Sequence, residues 1–216
     1  MGIKENYRAI QEKVPTACVV AVTKYVGPEK IIEAYNAGIR NFGENKIQDA
    51  EKKREQLPEE INKQAVWHFL GHLQANKVKK AVGNYEYIHS VDSVKIAESI
   101  AETARDKEIT QKILIQINIA EEKTKYGFTV NEIKECFGKI MGLDSLSIKG
   151  LMTMAPYTEN TNLQREVFKG LRDLKNYLEN EYKINIPELS MGMSNDYQVA
   201  YEEGATIIRI GHAIFN

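Results

Sequence analysis

A lysine near the start of the chain lies where it could react with a carbonyl compound. Lys24 follows a run of mostly apolar residues, Cys18 to Thr23, that is typical of a strand. If its ammonium faced the inside of a barrel, it would lose part of its water shell, and that loss favours the neutral amine. A neutral lysine forms imines with aldehydes. The alternative is an ordinary solvated lysine at a strand end.

Two glycine-containing loops near the end of the chain are suited to bind an anion. The segment Gly192–Ser194 precedes a predicted helix that opens at about Asn195, with Ser194 as its N-cap, and Gly211 with His212 opens a short last turn. Free N–H groups at helix starts favour phosphate, and glycine lets the backbone come close. Each loop alone could be an ordinary turn. Together they indicate a phosphate site.

Arg209 is a charged residue within an otherwise apolar strand, Thr206 to Ile210. A buried guanidinium needs a hydrogen-bond acceptor. Beside the pyridine nitrogen of an aromatic cofactor, it would disfavour protonation of that nitrogen and weaken the ring as an electron sink. The alternative is a structural ion pair with a barrel carboxylate such as Glu44.

The histidines and cysteines do not form a metal-binding pattern. His68 and His72 are four residues apart, but His68 lies in a predicted strand, so the helical geometry that joins two such histidines on one metal does not apply. His72 is interpreted as part of a polar loop before a helix over residues 76–82. Cys18 and Cys136 match neither a zinc nor a CxxC spacing. We expect no metal site.

Composition excludes several classes of partner. The chain has 29 basic and 30 acidic side chains, so its net charge of −1 provides no excess to attract nucleic acid or an anionic membrane. Its first residues are polar where a secretory signal needs an apolar run, and it contains no run of 18 apolar residues. We expect a soluble cytoplasmic protein that binds neither nucleic acid nor membrane.

Alternating strands and helices hold these residues in place. After an amphipathic helix over residues 2–13, short β-branched runs alternate with stretches that carry apolar residues at i, i+3 and i+4. The predicted strands are Cys18–Thr23, Ile39–Phe42, Val66–Leu70, Tyr87–Val91, Ile113–Ile119, Ile148–Met152, Glu188–Ser190 and Thr206–Ile210.

Eight strand–helix units predict a parallel α/β fold closed into a (β/α)8 TIM barrel, for which 216 residues is compact. A doubly wound open sheet is the alternative, because the strands at Ile39 and Glu188 are weakly marked. No linker rich in Pro, Gly or Ser divides the chain, so we expect one domain over residues 1–216. The active site of such a barrel lies at the C-terminal strand ends, where Lys24, Ser194 and Gly211 are predicted.

Six motifs, in order along the chain, resemble the YggS/PROSC family of pyridoxal 5′-phosphate (PLP) homeostasis proteins. They are Ala21–Lys24, Asn41–Asn45, Trp67–Gln74, Lys149–Met152, Leu189–Ser194 and Ile208–Phe215. The resemblance implies a modified TIM barrel like the alanine racemase N-terminal domain, with PLP held as a Schiff base on Lys24.

The resemblance also assigns the other cofactor-binding residues. It implies phosphate contacts at Ser194, Gly211 and His212, Arg209 facing the pyridine nitrogen, and Asn45 and Met193 lining the cofactor. The family commonly has Thr where this chain has His212. The loss of that hydroxyl bears on the affinity for PLP and leaves the location of the site unchanged.

The resemblance favours a PLP carrier over an enzyme. Alanine racemases add a second domain that supplies a tyrosine base, and this chain ends at Asn216, directly after the eighth strand. We therefore expect a monomeric protein without catalytic residues, which holds PLP, contacts PLP-dependent apoenzymes transiently and acts in vitamin B6 and amino-acid homeostasis. A low-activity PLP-dependent amino-acid racemase is the alternative. The barrel and lysine alone also allow a class I aldolase.

Overall fold

Eight parallel strands close into a barrel in the computed structural model, which describes residues 2–122 and 124–216. Each strand pairs with the next in sequence, and the last pairs with the first. The strands are β1 Cys18–Val22, β2 Asn41–Glu44, β3 Val66–Phe69, β4 Tyr87–Val91, β5 Gln111–Gln116, β6 Leu146–Met152, β7 Glu188–Ser190 and β8 Ile207–Ile210. The predicted TIM barrel is confirmed, and the open-sheet alternative is wrong.

Helices follow the strands around the barrel, and one precedes them. They are α1 Ile3–Lys13, α2 Pro28–Asn36, α3 Ile47–Arg54, α4 Glu59–Gln64, α5 Val78–Ala81, α6 Val94–Asp106, α7 Val130–Met141, α8 Thr161–Tyr182, α9 Tyr197–Glu202 and α10 His212–Phe215. The extra N-terminal helix predicted over residues 2–13 is α1. Within the described ranges, no helix has the length and apolar character needed to cross a membrane.

Strand alternation divides the barrel's apolar side chains into two sets. Val19 and Ala21 of β1 belong to the large core formed with the helices. Val20 points the other way and packs with Leu114 and Met152 in a separate small cluster. The interior of the barrel therefore contains an apolar cluster of its own, as TIM barrels usually do.

Several predicted boundaries are wrong for local reasons. β5, predicted over Ile113–Ile119, spans Gln111–Gln116, because beyond Gln116 the backbone bonds to Phe128, with Phe128 N donating to Gln116 O and Asn118 N donating to Phe128 O. Ile39 donates its N–H to Ala34 O and belongs to the turn that ends α2, so β2 begins at Asn41. The helix predicted over 76–82 is a 3-10 turn, Ala75–Lys77, followed by α5. The helix expected to open at about Asn195 begins at Tyr197.

Candidate functional site

A cavity of about 580 Å³ lies at the C-terminal ends of β1, β6, β7 and β8. It brings together six residues that the sequence placed in the site: Lys24, Met193, Ser194, Arg209, Gly211 and His212. The two ends of the chain meet there because β8 pairs with β1 when the barrel closes. The cavity thus has an amine on one wall and glycine-containing loops on another.

Lys24 lies two residues beyond β1, and its side chain is exposed. Its ammonium lies over the Tyr25 ring, with Nζ 4.7 Å from the ring centroid. The expectation of a lysine facing the barrel interior and stripped of water is wrong for this conformation. The strand ends before Lys24, so the lysine lines the mouth of the cavity.

The loop after β7 is a tight turn fixed by Asp196. The Asp196 carboxylate is buried, and its Oδ1 accepts a hydrogen bond from Met193 N at 2.6 Å. Burial raises the pKa of Asp196, and the Met193 hydrogen bond opposes that shift. Gly192 has φ +93°, and a Cβ there would lie 2.6 Å from Ala200 Cβ, so this position requires glycine.

Ser194 belongs to this turn and does not cap α9, so the predicted N-cap is wrong. Its Oγ accepts a hydrogen bond from Ala213 N at 3.3 Å, which joins the β7 and β8 loops. Within residues 2–122 and 124–216, the backbone N–H groups of Ser194, Asn195 and Gly211 donate to no protein acceptor. These loops therefore offer unused donors to an anion.

Arg209 forms a buried, charged wall of the cavity. Its side chain is 5% exposed, with Nη1 donating to Ser190 Oγ at 2.6 Å and Nη2 donating to Thr153 O at 2.9 Å. Burial lowers the pKa of Arg209 to about 10, and the charge of Asp196 works against that shift. A guanidinium has five N–H donors, so three remain for a ligand.

Glu44 is not the partner of Arg209, and that alternative is wrong. The buried Glu44 carboxylate accepts from Lys53 Nζ at 2.8 Å and from Thr23 Oγ1 at 2.6 Å. Lys53 also donates to Thr23 O, so these three residues form a closed network beside the end of β1. The Arg209 acceptors given above are both neutral.

Of the remaining predicted residues, His212 and Met193 line the cavity, whereas Asn45 does not. His212 begins α10, and its Nδ1 contacts the Asn216 side chain. Met193 is partly exposed at the mouth. Asn45 does not line this cavity; it is half-buried after β2, and its Oδ1 has no partner among the described residues. Its role in lining a cofactor stays a prediction.

Two tyrosines at the cavity mouth were missed by sequence reasoning. Tyr25 and Tyr157 both line the cavity, and they are 88% and 92% exposed. The position of Tyr25 directly after Lys24 was a usable signal, whereas Tyr157 lies in a loop that only the closed barrel brings to this site. Their exposure shows that the mouth is open to solvent.

Two buried histidines, His68 and His89, lie inside the barrel and were not predicted to belong to the site. Their exposures are 1% and 0%. Burial lowers the pKa of His68 to about 3, and burial, with the charges of His68 and Arg209, holds the pKa of His89 well below its ordinary value. Both rings are therefore neutral near pH 7.

This burial predicts acid sensitivity. The unfolded chain takes up protons on both histidines below about pH 6.5 while the folded chain does not, so stability present above that pH is lost as the pH falls. Between pH 7 and pH 5 we expect His68 to reduce the free energy of unfolding by about 2 kcal/mol, with a further loss from His89. Urea unfolding at each pH, followed by Trp67 fluorescence, measures this change in the free energy of unfolding. His68→Gln should show a smaller loss, and an unchanged pH dependence in that variant would contradict this origin.

The cavity has the donors that a phosphorylated aldehyde requires. Lys24 offers an amine, Arg209 offers spare N–H groups, and the unused N–H groups of Ser194 and Gly211 suit a phosphate. A Cβ at Gly211 would lie 3.2 Å from Val22 O, so glycine leaves room there. Among the residues the structure describes, no group of three His, Cys, Asp or Glu is arranged to hold a metal ion.

Similarity to known proteins extends over the whole barrel. The family model described as "Alanine racemase, N-terminal domain" matches residues 2–216. A pyridoxal phosphate homeostasis protein of Aquifex aeolicus (strain VF5) is 39% identical over 226 residues, covering 100% of this chain and 98% of the relative.

Solved structures extend the similarity. PipY of Synechococcus elongatus PCC7942, in a structure with PLP bound, is 33% identical with a TM-score of 0.90, covering 99% of this chain and 100% of that one. An alanine racemase of Clostridium difficile 630 is 15% identical with a TM-score of 0.78, covering 99% of this chain and 56% of the racemase. The racemase likeness concerns the fold alone.

Proposed function

The chain belongs to the family of pyridoxal phosphate homeostasis proteins, which is built on the alanine racemase N-terminal domain, and we propose that it binds PLP in the cavity at the end of its barrel. The observation that carries the proposal is the meeting of Lys24 with Ser194, Arg209 and Gly211 around one cavity of suitable size. PLP supplies an aldehyde that bonds covalently to an amine, and a phosphate that anchors it.

Each residue has a defined part in this proposal. Lys24 Nζ condenses with the aldehyde, with loss of water. The N–H groups of Ser194 and Gly211 and the Ser194 hydroxyl hold the phosphate, and His212 adds a backbone N–H. Arg209 donates to the ring nitrogen, which keeps that nitrogen unprotonated because a fixed positive charge lies beside it.

The protein holds and releases PLP and in this way serves vitamin B6 and amino-acid homeostasis. An open mouth supports this role, because Tyr25 and Tyr157 leave the cavity accessible to water and to a second protein. Transient contact with PLP-dependent apoenzymes is the corresponding partner interaction. We place this role in the cytoplasm, in agreement with the free thiols of Cys18 and Cys136.

A retention and transfer experiment tests the function. Protein incubated with PLP and passed through a desalting column is expected to elute yellow. On mixing with a PLP-dependent apoenzyme, it should restore that enzyme's activity as the yellow colour is lost. A colourless eluate would contradict cofactor binding, and colour that persists while the apoenzyme stays inactive would contradict delivery.

We predict little racemase activity, because a carbanion at the substrate Cα needs a site that excludes water, and this mouth is open. Deuterium entry at Cα of L-alanine in D2O, followed by mass spectrometry, should proceed no more than about tenfold faster with loaded protein than with free PLP. A sustained rate orders of magnitude above free PLP would favour the racemase.

A further inference from the structure

A chain of hydrogen bonds crosses the barrel interior from the cavity to the opposite end of the sheet. Arg209 Nη1 donates to Ser190 Oγ at 2.6 Å, and Ser190 Oγ lies 2.9 Å from His89 Nδ1. His89 Nε2 lies 2.9 Å from His68 Nδ1, and His68 Nε2 lies 3.0 Å from Asn41 Oδ1. Asn41 is the first residue of β2, so the chain ends at the N-terminal end of the barrel.

Arg209 is a donor at one end of this series of hydrogen bonds, and Asn41 Oδ1 is an acceptor at the other end. Together they set which partner donates in each hydrogen bond. Arg209 can only donate, so the Ser190 hydroxyl is free to give its own hydrogen to His89 Nδ1. A neutral histidine carries one N–H, so that of His89 is on Nε2 and faces His68 Nδ1. The N–H of His68 is then also on Nε2 and donates to the Asn41 amide oxygen.

The opposite assignment leaves unmatched groups. With its hydrogen on Nδ1, His89 would donate to Ser190 Oγ. The Ser190 hydroxyl hydrogen would then have no acceptor in this series of hydrogen bonds. His68 would then need its hydrogen on Nδ1, and its bare Nε2 would face Asn41 Oδ1, two acceptors together unless the Asn41 amide turned over. The serine hydrogen would stay unmatched in either case. Unpaired buried polar groups are costly, so the first arrangement is preferred.

We propose that Ser190, His89 and His68 are positioning residues that hold the Arg209 guanidinium against the cavity. The expected effect of these residues on PLP rests on the proposed function. The hydrogen-bonded series from Arg209 to Asn41 rests on the geometry alone. Arg209 forms no ion pair with a carboxylate in the described part of the chain, so its side-chain partner is the Ser190 hydroxyl. His89 orients that hydroxyl, and His68 fixes the tautomer of His89.

The first experiment needs no cofactor. Protein labelled with 15N in its histidine rings is measured by NMR without PLP, and the His68 and His89 signals are assigned from single variants. We expect both rings to carry hydrogen on Nε2 alone near pH 7, and Ser190→Ala to shift the His89 Nδ1 signal. Hydrogen on Nδ1 of either ring, or on both nitrogens, would overturn the proposed direction.

The second experiment measures the effect on bound PLP. We compare the visible absorption band and the rate of PLP release for Ser190→Ala, His89→Leu and His89→Asn. The asparagine oxygen can lie where Nδ1 was and accept from Ser190, whereas leucine cannot. We expect Ser190→Ala and His89→Leu to shift the band and release PLP about tenfold faster, because Arg209 loses its Ser190 acceptor in the first variant and the group that orients this acceptor in the second. His89→Asn should stay close to wild type.

The controls separate a positioning role from a structural one. Tyr87 stacks on His68 with ring centroids 5.0 Å apart, and Tyr87→Phe keeps that stack, so it should leave the spectrum unchanged. If Ser190→Ala and His89→Leu lower only the melting temperature and leave band and release rate at wild-type values, the residues are merely structural and the proposal fails. If wild-type protein takes up no PLP, the proposed function fails, while the NMR result still decides the direction of the chain.

Discussion

Lys24→Ala is expected to abolish covalent attachment of PLP. Treatment of the wild-type protein with PLP and borohydride should add one pyridoxyl group, and peptide mapping should place it on Lys24; the variant should gain none. The reason is geometric, since Lys24 supplies its amine at the mouth of the cavity whose other wall carries the unused N–H groups. Its long stem lets Nζ leave the Tyr25 ring and reach the aldehyde.

Nearby lysines provide matched controls for that variant. Lys46 is exposed immediately before α3, and Lys77 ends the 3-10 turn, so Lys46→Ala and Lys77→Ala should keep the full mass gain. Lys24→Ala should still bind PLP non-covalently through its phosphate, more weakly than wild type. A reducible adduct that persists in Lys24→Ala would show that another lysine is the attachment site.

Ser194→Ala is expected to weaken the binding of PLP without affecting pyridoxal, which lacks the phosphate. Ala213 N donates to Ser194 Oγ and so leaves the hydroxyl hydrogen free for a phosphate oxygen. One hydrogen bond to a charged group is worth about 1.5–3 kcal/mol, so the affinity for PLP should fall roughly tenfold to hundredfold. Titration of the absorbance with each compound measures both affinities.

A remote serine controls for the change of residue type. Ser147 lies near the N-terminal end of β6, away from the cavity, and Ser147→Ala should leave both affinities unchanged. Equal weakening of PLP and pyridoxal in Ser194→Ala would mean that Ser194 supports the loop without contacting the phosphate, and the assigned anion site would be wrong.

Much of the fold could be predicted from the sequence because its signals are local. Apolar β-branched runs alternate with helical stretches, whose apolar residues recur with a period of about 3.6. That alternation of strands and helices specifies a parallel barrel. The start of β2 and the start of α9 could not be predicted, because each depends on a backbone hydrogen bond or turn. Ile39 donates its N–H to Ala34 O in the turn that ends α2, and the Asp196 side chain accepts from Met193 N in the turn after Gly192.

The candidate site shows the same division. The types and order of Lys24, Ser194, Arg209 and Gly211 are enough to indicate an amine, an anion-binding loop and a buried cation. The sequence could not show that Lys24 is exposed, or that Glu44 pairs with Lys53 in preference to Arg209. Those outcomes depend on which side chains the closed barrel places within hydrogen-bonding distance.

The amino-acid order alone determined the chemistry available to this protein, since side-chain type fixes what can donate, accept or react. Only the tertiary structure decided how those groups are connected. Asn41, His68, His89, Ser190 and Arg209 come from five strands, and closure of the barrel joins them into one chain. A hydrogen bond needs its two atoms within about 3 Å of each other. These five residues are far apart in sequence, so only the packing of their strands can bring them that close.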